Sequence, residues 1–440
     1  MKTKISMDQI QGMIAAFSEN RYIKAISKSM VMTLPATMTG ALCTLLNTIQ
    51  IPAYQEFIKN TGISNIFDLA GMFTTNVMSI YVVFFVAFNM AKSFDIDPMV
   101  SGVLGIISYL IFTPIAAIDV NGDGNLINFI SFDWIGSKGM FVGIIIGLLI
   151  GKIYSIFIVK KITIKMPDSV PSFVEKSFAS LIPFAFIVLV SSIGSTLVGL
   201  TSFGSIHQMI YGILQIPLQA IGGSLGGVLV AYLLIGLLWW FGLHGKILVF
   251  TVIGPIWQSM TIENLNATAN GLPAPHMIDW GFTTIFFEIG GAGCVLGLAI
   301  LFAFFAKSDR YKGVGRITVL PTFFGINEPI TFSTPVVLNP HFLIPTVFTP
   351  IVTGLIGYLS IVIGFVPKMR GISLPTGVPT FINAFMIAGW QALVVQIICV
   401  VVAVFCYYPF FRKADKEALT IEKEIELEKE KINEGNLETA

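Results

Sequence analysis

Charged residues are scarce in this chain of 440 residues: only 12% are Asp, Glu, Lys or Arg, whereas 55% are hydrophobic. Soluble domains carry about 25% charged residues. A chain with so little charge cannot cover its surface with polar groups, which excludes a soluble globular protein. The net charge of +1 creates no field that would attract nucleic acid. The composition therefore predicts a protein that is embedded in a lipid bilayer.

Sequence motifs of metal and nucleotide chemistry are also missing. The four cysteines lie in apolar stretches and form neither a CxxC pair nor a metal-ligand spacing. The chain has no HExxH, GxSxG, Walker A or dinucleotide-binding motif. No signal-peptide hydrophobic region precedes the first long apolar run, so we expect the transmembrane helices to drive insertion. These absences predict that the protein uses no metal and no cofactor.

Apolar runs long enough to cross about 30 Å of hydrocarbon recur along the chain. We predict an all-α polytopic membrane protein with about ten transmembrane helices, at residues 30–51, 67–91, 99–118, 139–159, 179–201, 223–243, 246–262, 283–306, 341–366 and 388–411. Lys and Arg are concentrated at the N-terminus, after the fourth and eighth spans and at the start of the tail. The positive-inside rule then places both termini in the cytoplasm. The Gly143, Gly147 and Gly151 spacing favours close packing of one span against a neighbour.

Three polar segments flank these spans. Residues 5–28 and 162–178 mix apolar residues with Lys and Ser, which is typical of interfacial amphipathic helices; an ordinary cytoplasmic loop is the alternative. Residues 412–440 hold 15 charged residues among 29. Within them, Glu and Lys pairs over 413–433 favour a solvated helix to which we assign no chemistry.

One apolar segment, residues 317–340, contains an acid and cannot be a single regular helix. Five residues interrupt it: Pro321, Gly325, Pro329, Pro335 and Pro340. Irregular backbone at membrane depth survives only where protein or a water-filled cavity satisfies it, so we predict a re-entrant hairpin with Glu328 at its tip. An acid at membrane depth costs at least ~2.5 kcal/mol, which indicates a functional role. A Glu that pairs with Lys or Arg to hold the fold is the alternative.

A histidine at the end of an apolar run is the second candidate. His244 lies between two glycines and directly follows the segment that contains Trp239 and Trp240. Adjacent Trp residues can offer a flat apolar surface to the C–H face of a sugar ring. An aromatic belt with a solvated His244 is the alternative. Because Glu328 and Asn327 are also present, the pattern favours a polar ligand site within the membrane.

The segments FGINEPITFSTPVVLNP (324–340), WWFGLHG (239–245) and GISLPTGVPTFINAF (371–385) resemble the sugar-translocating IIC component of the bacterial phosphoenolpyruvate-dependent phosphotransferase system. The subfamily it resembles is lactose/cellobiose, which includes the diacetylchitobiose carriers. The resemblance implies ten transmembrane helices with re-entrant hairpins. It also implies a homodimer formed by the N-terminal half, residues 1–220, a sugar-binding transport half, residues 221–411, and a charged cytoplasmic tail, residues 412–440.

The resemblance also implies roles for particular residues. The family's glutamate falls on Glu328 and its neighbour on Asn327. The family's histidine, near the sugar hydroxyl that becomes phosphorylated, falls on His244. Glu288, in FFEIGGAG (286–293), is an acid where relatives often have an amide; it either tunes sugar choice or is a helix-packing partner. Sugar-lining positions are implied for Trp239, Trp240, Asn76 and Trp390.

The family's phosphoryl donor is a cysteine of IIB. Only 29 residues follow the last predicted span, so we expect IIB to be a separate cytoplasmic partner. The predicted function is a permease of the bacterial cytoplasmic membrane that binds and translocates a disaccharide of the cellobiose, diacetylchitobiose or lactose type. As the membrane subunit of a phosphotransferase complex, it would present this sugar for phosphorylation. The alternative is an ion-coupled secondary sugar transporter, which predicts an acid relay and inverted repeats.

Overall fold

The computed structural model describes residues 19–47, 51–119, 126–167, 170, 172–333, 336–374 and 377–437. Within these residues the protein is mainly helical, as the composition predicts. The chain forms two compact units. The first contains Met1–Gly222 and Phe250–Pro275, and the second contains Gly223–Val249 and His276–Ala440.

The first unit is built from helices and one short antiparallel hairpin of strands. Its helices are α1 Arg21–Asn47, α2 Pro52–Asn60, α3 Ile63–Met72, α4 Met78–Lys92, α5 Met99–Phe112, α6 Phe132–Ile135, α7 Met140–Val159, α8 Ser172–Ala179, α9 Leu181–Gly199, α10 Ile206–Ile210 and α11 Ile216–Gly222. The strands are β1 Ala116–Asp119 and β2 Leu126–Phe129. A 3-10 turn, Ser137–Gly139, precedes α7, and a π-helix, Tyr211–Gln215, joins α10 to α11.

Helix α7 packs closely on helix α4 along its glycines. A Cβ added at Gly147 would lie 2.8 Å from Cβ of Val86, and one added at Gly151 would lie 2.7 Å from Cβ of Met90. Atoms cannot approach so closely, so these positions require glycine. The prediction that this glycine spacing packs helices is confirmed.

The second unit carries the remaining helices. They are α12 Leu225–Trp240, α13 Gly245–Ala269, α14 Trp280–Phe286, α15 Leu296–Phe305, α16 Asp309–Phe323, α17 Glu328–Ser333, α18 Pro340–Val362, α19 Ile382–Ala388 and α20 Trp390–Leu437. Only the first turn of α13 belongs to this unit, and the rest belongs to the first. An aromatic cluster joins α15, α16, α18 and α20 through Phe302, Tyr311, Phe342, Tyr407 and Phe411.

Several helices are long and apolar enough to cross a bilayer. They are Ser137–Val159, Ser177–Gly199, Gly245–Ala269, Pro340–Val362 and Trp390–Glu428, and the bent pair Ile206–Gly222 and Leu225–Trp240, which meets at 73°, adds a sixth if it is one span. The chain is therefore a multi-pass membrane protein. The apolar helices Met78–Lys92, Met99–Phe112 and Leu296–Phe305 are shorter, and the count of ten stays a prediction.

Three predicted segments differ from the structure in detail. The span at 99–118 is helical only to Phe112, because Pro114 follows and the chain continues as β1. The span at 283–306 is broken between α14 and α15, where Gly290, Gly291 and Gly293 all have positive φ. Among the described residues of the predicted interfacial helix at 162–178, only those from Ser172 onward are helical. Most of the other, 5–28, lies outside the described residues.

The charged tail is a helix, as predicted, but one face of its first turns is buried. Ala414, Asp415 and Ala418 are buried. Asp415 accepts hydrogen bonds from the backbone N–H groups of Lys307 and Ser308, each at 3.0 Å, and from the Ser308 hydroxyl at 2.7 Å. The tail therefore holds the loop that leads into α16.

A second carboxylate of the tail extends this contact. Glu422 accepts from the backbone N–H groups of Asp309, at 3.1 Å, and Arg310, at 2.9 Å, in the first turn of α16. The first N–H groups of a helix have no partner within the helix, so carboxylates are favoured there. The prediction of a solvated tail is therefore wrong for this face as far as Glu422, because local charge pairing does not reveal such distant partners.

We expect Asp415→Ala to lower the free energy of unfolding by about 1.5–3 kcal/mol, because buried N–H groups lose a charged acceptor. The variant should melt at a lower temperature than the wild type in the same detergent. Glu426→Ala is the matched control, since Glu426 lies exposed on the same helix. Equal melting temperatures for all three proteins would contradict a stabilising contact of the tail.

Candidate functional site

The second unit brings His244 and Glu328 together. His244 Nε2 lies 3.4 Å from Glu328 Oε1, and the two side chains are 37% and 44% exposed, so both can reach a ligand. Nδ1 of His244 accepts a hydrogen bond from the backbone N–H of Ile247 at 3.3 Å. An accepting Nδ1 leaves the ring hydrogen on Nε2, which faces the carboxylate. The pair thus offers one donor and one charged acceptor side by side.

A tight turn between α12 and α13 places His244. Gly242 has φ +78°, a conformation that favours glycine. A Cβ added at Gly245 would lie 2.4 Å from the carbonyl oxygen of Ile235, so no larger residue fits there. The glycines that flank His244 in the sequence are therefore needed for the turn itself.

A break between α16 and α17 places Glu328. Helix α16 ends at Phe323, Gly325 has φ +78°, and Glu328 begins α17. The predicted break in this segment is confirmed, with Glu328 at the start of the next helix, and re-entry of the segment into the membrane stays a prediction. Asn327 is 6% exposed and closes the turn, since its carbonyl oxygen accepts the N–H of Thr331 at 3.0 Å. Its amide nitrogen lies 3.5 Å from the Thr331 hydroxyl.

The two adjacent tryptophans have different surroundings. Trp239 is 2% exposed, and its ring lies 4.5 Å from the His244 ring and 5.9 Å from that of Phe332, centroid to centroid. Within the described part of the chain, its buried Nε1 has no hydrogen-bond partner. The indole N–H of Trp240 instead donates to the carbonyl of Asn339 at 2.8 Å. Trp239 therefore adjoins the His–Glu pair, whereas Trp240 is hydrogen-bonded to the residue that precedes α18.

Glu288 is bonded through both of its oxygens. The Tyr232 hydroxyl donates to Oε1 at 2.8 Å, and the Lys246 ammonium donates to Oε2 at 2.5 Å. A Cβ added at Gly291 would lie 2.7 Å from Cβ of Asn327, so the chain after Glu288 packs directly against the residue that precedes Glu328. Glu288 thus lies in the same region as the His–Glu pair.

Lys246 and Tyr232 are the two residues of this region that the sequence reasoning missed. Lys246 interacts electrostatically with Glu328 as well as with Glu288. The sequence shows that Glu288, an acid in an apolar segment, needs a partner and that Lys246 comes two residues after His244, but it does not show that the two residues pair.

Two other candidate residues lie apart in the chain. Asn76 belongs to the first unit, in the turn before α4, where its backbone carbonyl lies close to Gly136. Trp390 begins α20 and is 57% exposed, with its ring 5.9 Å from that of Phe365. A sugar contact for either residue stays a prediction.

The segment 371–385 connects the end of α16 to the rest of the second unit. The backbone N–H of Thr380 donates to the carbonyl of Phe323 at 2.9 Å, and that of Phe381 donates to Gln396 Oε1 at 2.7 Å. The amide of Gln396 in turn donates to the carbonyl of Ile285 at 2.9 Å. The helix that leads to Glu328 is thus fixed at its end by this segment and at its start by the tail.

The site combines a carboxylate, an imidazole N–H, an ammonium group and a buried indole. A carboxylate and ring N–H suit a ligand with many hydroxyls, and an ammonium suits an anion. No group of three His, Cys, Asp or Glu residues in the described ranges is placed to hold a metal ion. The arrangement therefore supports binding of a polyhydroxy ligand.

Comparisons with known proteins agree with this reading. The family model for the phosphotransferase system EIIC component matches residues 27–350. The chain is 34% identical over 412 residues to the oligo-beta-mannoside-specific EIIC component of Bacillus subtilis (strain 168), covering 92% of each chain. It is 33% identical to the cellobiose-specific EIIC component of Geobacillus stearothermophilus over 428 residues, covering 93% of each.

A solved structure is similar over nearly its whole length. It is that of the transporter ChbC, the IIC component from the N,N'-diacetylchitobiose-specific phosphotransferase system. The TM-score is 0.89 at 31% identity, and the match covers 94% of this chain and 98% of that one. The family match spans most of the chain, and the structural match includes both units. This chain belongs to the EIIC family of sugar permeases of the phosphotransferase system.

Proposed function

We propose that this permease binds a β-linked disaccharide of the cellobiose or diacetylchitobiose type, moves it across the bilayer and presents it to IIB for phosphorylation. The observation that carries the proposal is the His244–Glu328 pair, with Nε2 and Oε1 3.4 Å apart. The names of the relatives support the sugar class, since they include cellobiose and N,N'-diacetylchitobiose carriers. Lactose, also β-linked, remains within the proposed class.

The chemistry follows from what a phosphoryl acceptor needs. The sulfur–phosphorus bond of the IIB phosphocysteine breaks and the cysteine leaves as a thiolate, an oxygen–phosphorus bond to a sugar hydroxyl forms, and the hydroxyl proton passes through its hydrogen bond to Glu328 and on to solvent. Glu328 accepts a hydrogen bond from the sugar and His244 donates one, so together they orient the acceptor hydroxyl. The phosphorylated sugar is an anion that cannot recross the hydrocarbon, so transport becomes directional without an ion gradient. The family match gives no support to the alternative of an ion-coupled transporter.

Uptake by right-side-out membrane vesicles, whose cytoplasmic face points inward, tests this function. Vesicles that contain phosphorylated IIB should accumulate labelled cellobiose or diacetylchitobiose as the phosphate, and an ionophore should not change the rate. Maltose, an α-linked disaccharide, is the matched control and should not be phosphorylated. Uptake that is independent of phosphorylated IIB and abolished by the ionophore would overturn the proposal in favour of the secondary transporter.

The proposal divides the chain by role. His244, Asn327, Glu328 and Glu288 all belong to the second unit, which supports residues 221–411 as the sugar-binding half. We assign the homodimer contact to residues 1–220 on the resemblance alone. The mass of the purified protein in detergent, measured by light scattering, tests the dimer. A monomer across the working concentration range would contradict it.

We expect both termini to face the cytoplasm. In a background without the four native cysteines, Glu426→Cys should react with a membrane-impermeant maleimide only after intact cells are opened. Asn128→Cys is the matched control, because Asn128 is exposed on β2 and lies in a loop that the positive-inside rule places outside. It should react in intact cells. Labelling of both positions from the same side would contradict this topology.

A further inference from the structure

We propose that Lys246 binds the phosphoryl group during its transfer and in the phosphorylated product, and that Glu288 and Tyr232 position its ammonium. This inference rests on the proposed function and names Lys246 as a further residue that takes part in it. It gives Glu288 a positioning role through Lys246 rather than a direct contact with the sugar.

The first support is the way in which Glu288 is held. Tyr232, 1% exposed, donates to one carboxylate oxygen at 2.8 Å, and Lys246 donates to the other at 2.5 Å. The Glu288 side chain is only 10% exposed, whereas that of Lys246 is 29% exposed. The carboxylate is therefore fixed by the protein on both sides, and the ammonium is the member of the group that a ligand can approach.

The second support is the place of Lys246 beside the acceptor site. Lys246 follows His244 by two residues and lies in the first turn of α13. Its charge interacts with Glu328. The chain after Glu288 also contacts Asn327, the residue before Glu328, through Gly291. Lys246 therefore lies near the His244–Glu328 pair, and the segment that follows Glu288 packs against the turn that carries Glu328.

The third support is the charge that the reaction creates. In the loose transition state of phosphoryl transfer, negative charge spreads over the three equatorial oxygens, and the product keeps it. Glu328 repels that charge, and His244, with its hydrogen on Nε2, supplies only a dipole. The sequence has no Lys or Arg between Lys246 and Lys307, or between Arg316 and Lys368. Lys246 is the cation that the segments of this site contain.

Lysine is suited to this task because its ammonium is a point charge on a flexible stem. The ammonium can turn from Glu288 towards an arriving phosphoryl group, while Tyr232 keeps one oxygen of Glu288 bonded. Before transfer, the ion pair holds the charge close to the acceptor hydroxyl without contacting the neutral sugar. The inference therefore predicts that Lys246 distinguishes the phosphorylated from the unphosphorylated disaccharide.

The test compares three quantities in Lys246→Met and the wild type. The Kd for the unphosphorylated disaccharide should change less than about threefold, because in this proposal the neutral sugar does not contact the Lys246 ammonium. The phosphorylation rate at saturating sugar and phosphorylated IIB should fall at least tenfold, which is the scale of one lost charged hydrogen bond. The affinity for the phosphorylated disaccharide should fall by a similar factor. Lys423→Met, on the exposed tail, is the matched control.

A double variant separates this role from a structural one. Lys246→Met alone leaves Glu288 without its cation, which by itself destabilises a protein. Lys246→Met with Glu288→Gln removes both charges and should melt close to the wild type, yet remain slow and bind the phosphorylated sugar weakly. Lys246→Arg keeps the charge and should retain product affinity within about tenfold, even if its different shape slows the transfer.

Two results would overturn the inference. One is recovery of the wild-type rate by the double variant, since the lysine would then serve only to neutralise Glu288. The other is equal affinity of the wild type and Lys246→Met for the phosphorylated disaccharide. Failure of the proposed function is distinguishable from either, because the wild type itself would then neither bind the disaccharide nor pass it to phosphorylation.

Discussion

The Glu328→Gln variant is expected to bind disaccharide roughly 10- to 150-fold more weakly than the wild type while remaining folded. Gln has nearly the same shape as Glu, so it can still begin α17 and fill the same space. It lacks the charge, and a hydrogen bond to a charged group is worth about 1.5–3 kcal/mol. The side chain is partly exposed beside His244, so the loss should appear in ligand binding rather than in folding.

Titration of the purified protein with disaccharide measures this effect, and thermal melting checks the fold. Glu417→Gln is the matched control, because Glu417 also pairs with a histidine, with 3.0 Å between its Oε2 and Nε2 of His341, but lies on the tail helix. It should bind sugar as the wild type does. Wild-type binding by Glu328→Gln would remove Glu328 from the site, and equal losses in both variants would point to a general effect of breaking such pairs.

Local signals made the position of Glu328 predictable. Proline and glycine act on the backbone of their own segment, so the break in residues 317–340 could be read without knowing any partner. The same holds for His244, whose flanking glycines mark a turn. Both positions follow from short-range rules, and the structure then adds what these rules do not contain, namely that the two side chains face each other.

The partners of buried charges were not predictable in this way. The Lys246–Glu288 pair and the contact of Asp415 with Lys307 and Ser308 join residues that are distant in sequence. A charge-rich segment looks solvated when only its own residues are considered, so the sequence does not reveal that one face of the tail's first turns is buried. Long-range contacts of this kind depend on which helices pack against each other, and the hydropathy of the sequence carries no information about that packing.

Helix lengths show a related limit. Hydropathy counts apolar residues and does not distinguish a helix from a strand or an irregular segment of equal composition. The predicted span over 283–306 contains three glycines with positive φ, and the predicted span over 99–118 ends in a strand. Composition predicts where the apolar segments lie, whereas the turn at Gly290 and the residue Pro114 determine where their helices end.

His244→Ala is expected to lower the rate of phosphoryl transfer about 10²- to 10⁴-fold, the range of groups that position or exchange a proton in a transition state. Sugar affinity should change far less, because Glu328 and Trp239 remain. The hydrogen on Nε2, which faces Glu328, is lost with the ring, so the acceptor hydroxyl is no longer held in line for attack on the phosphocysteine. An interaction made mainly in the transition state lowers the rate at saturating sugar without a matching change in Kd.

The measurement pairs the sugar Kd of the variant with its phosphorylation rate at saturating sugar and saturating phosphorylated IIB. His341→Ala is the matched control, since it removes a second histidine that pairs with a glutamate but lies on α18 against the tail. Its rate should stay at the wild-type level. If saturating sugar restores the full rate to His244→Ala, the histidine contributes equally to the ground state and the transition state. It would then be a binding residue, and the orientation of the hydroxyl would rest on Glu328.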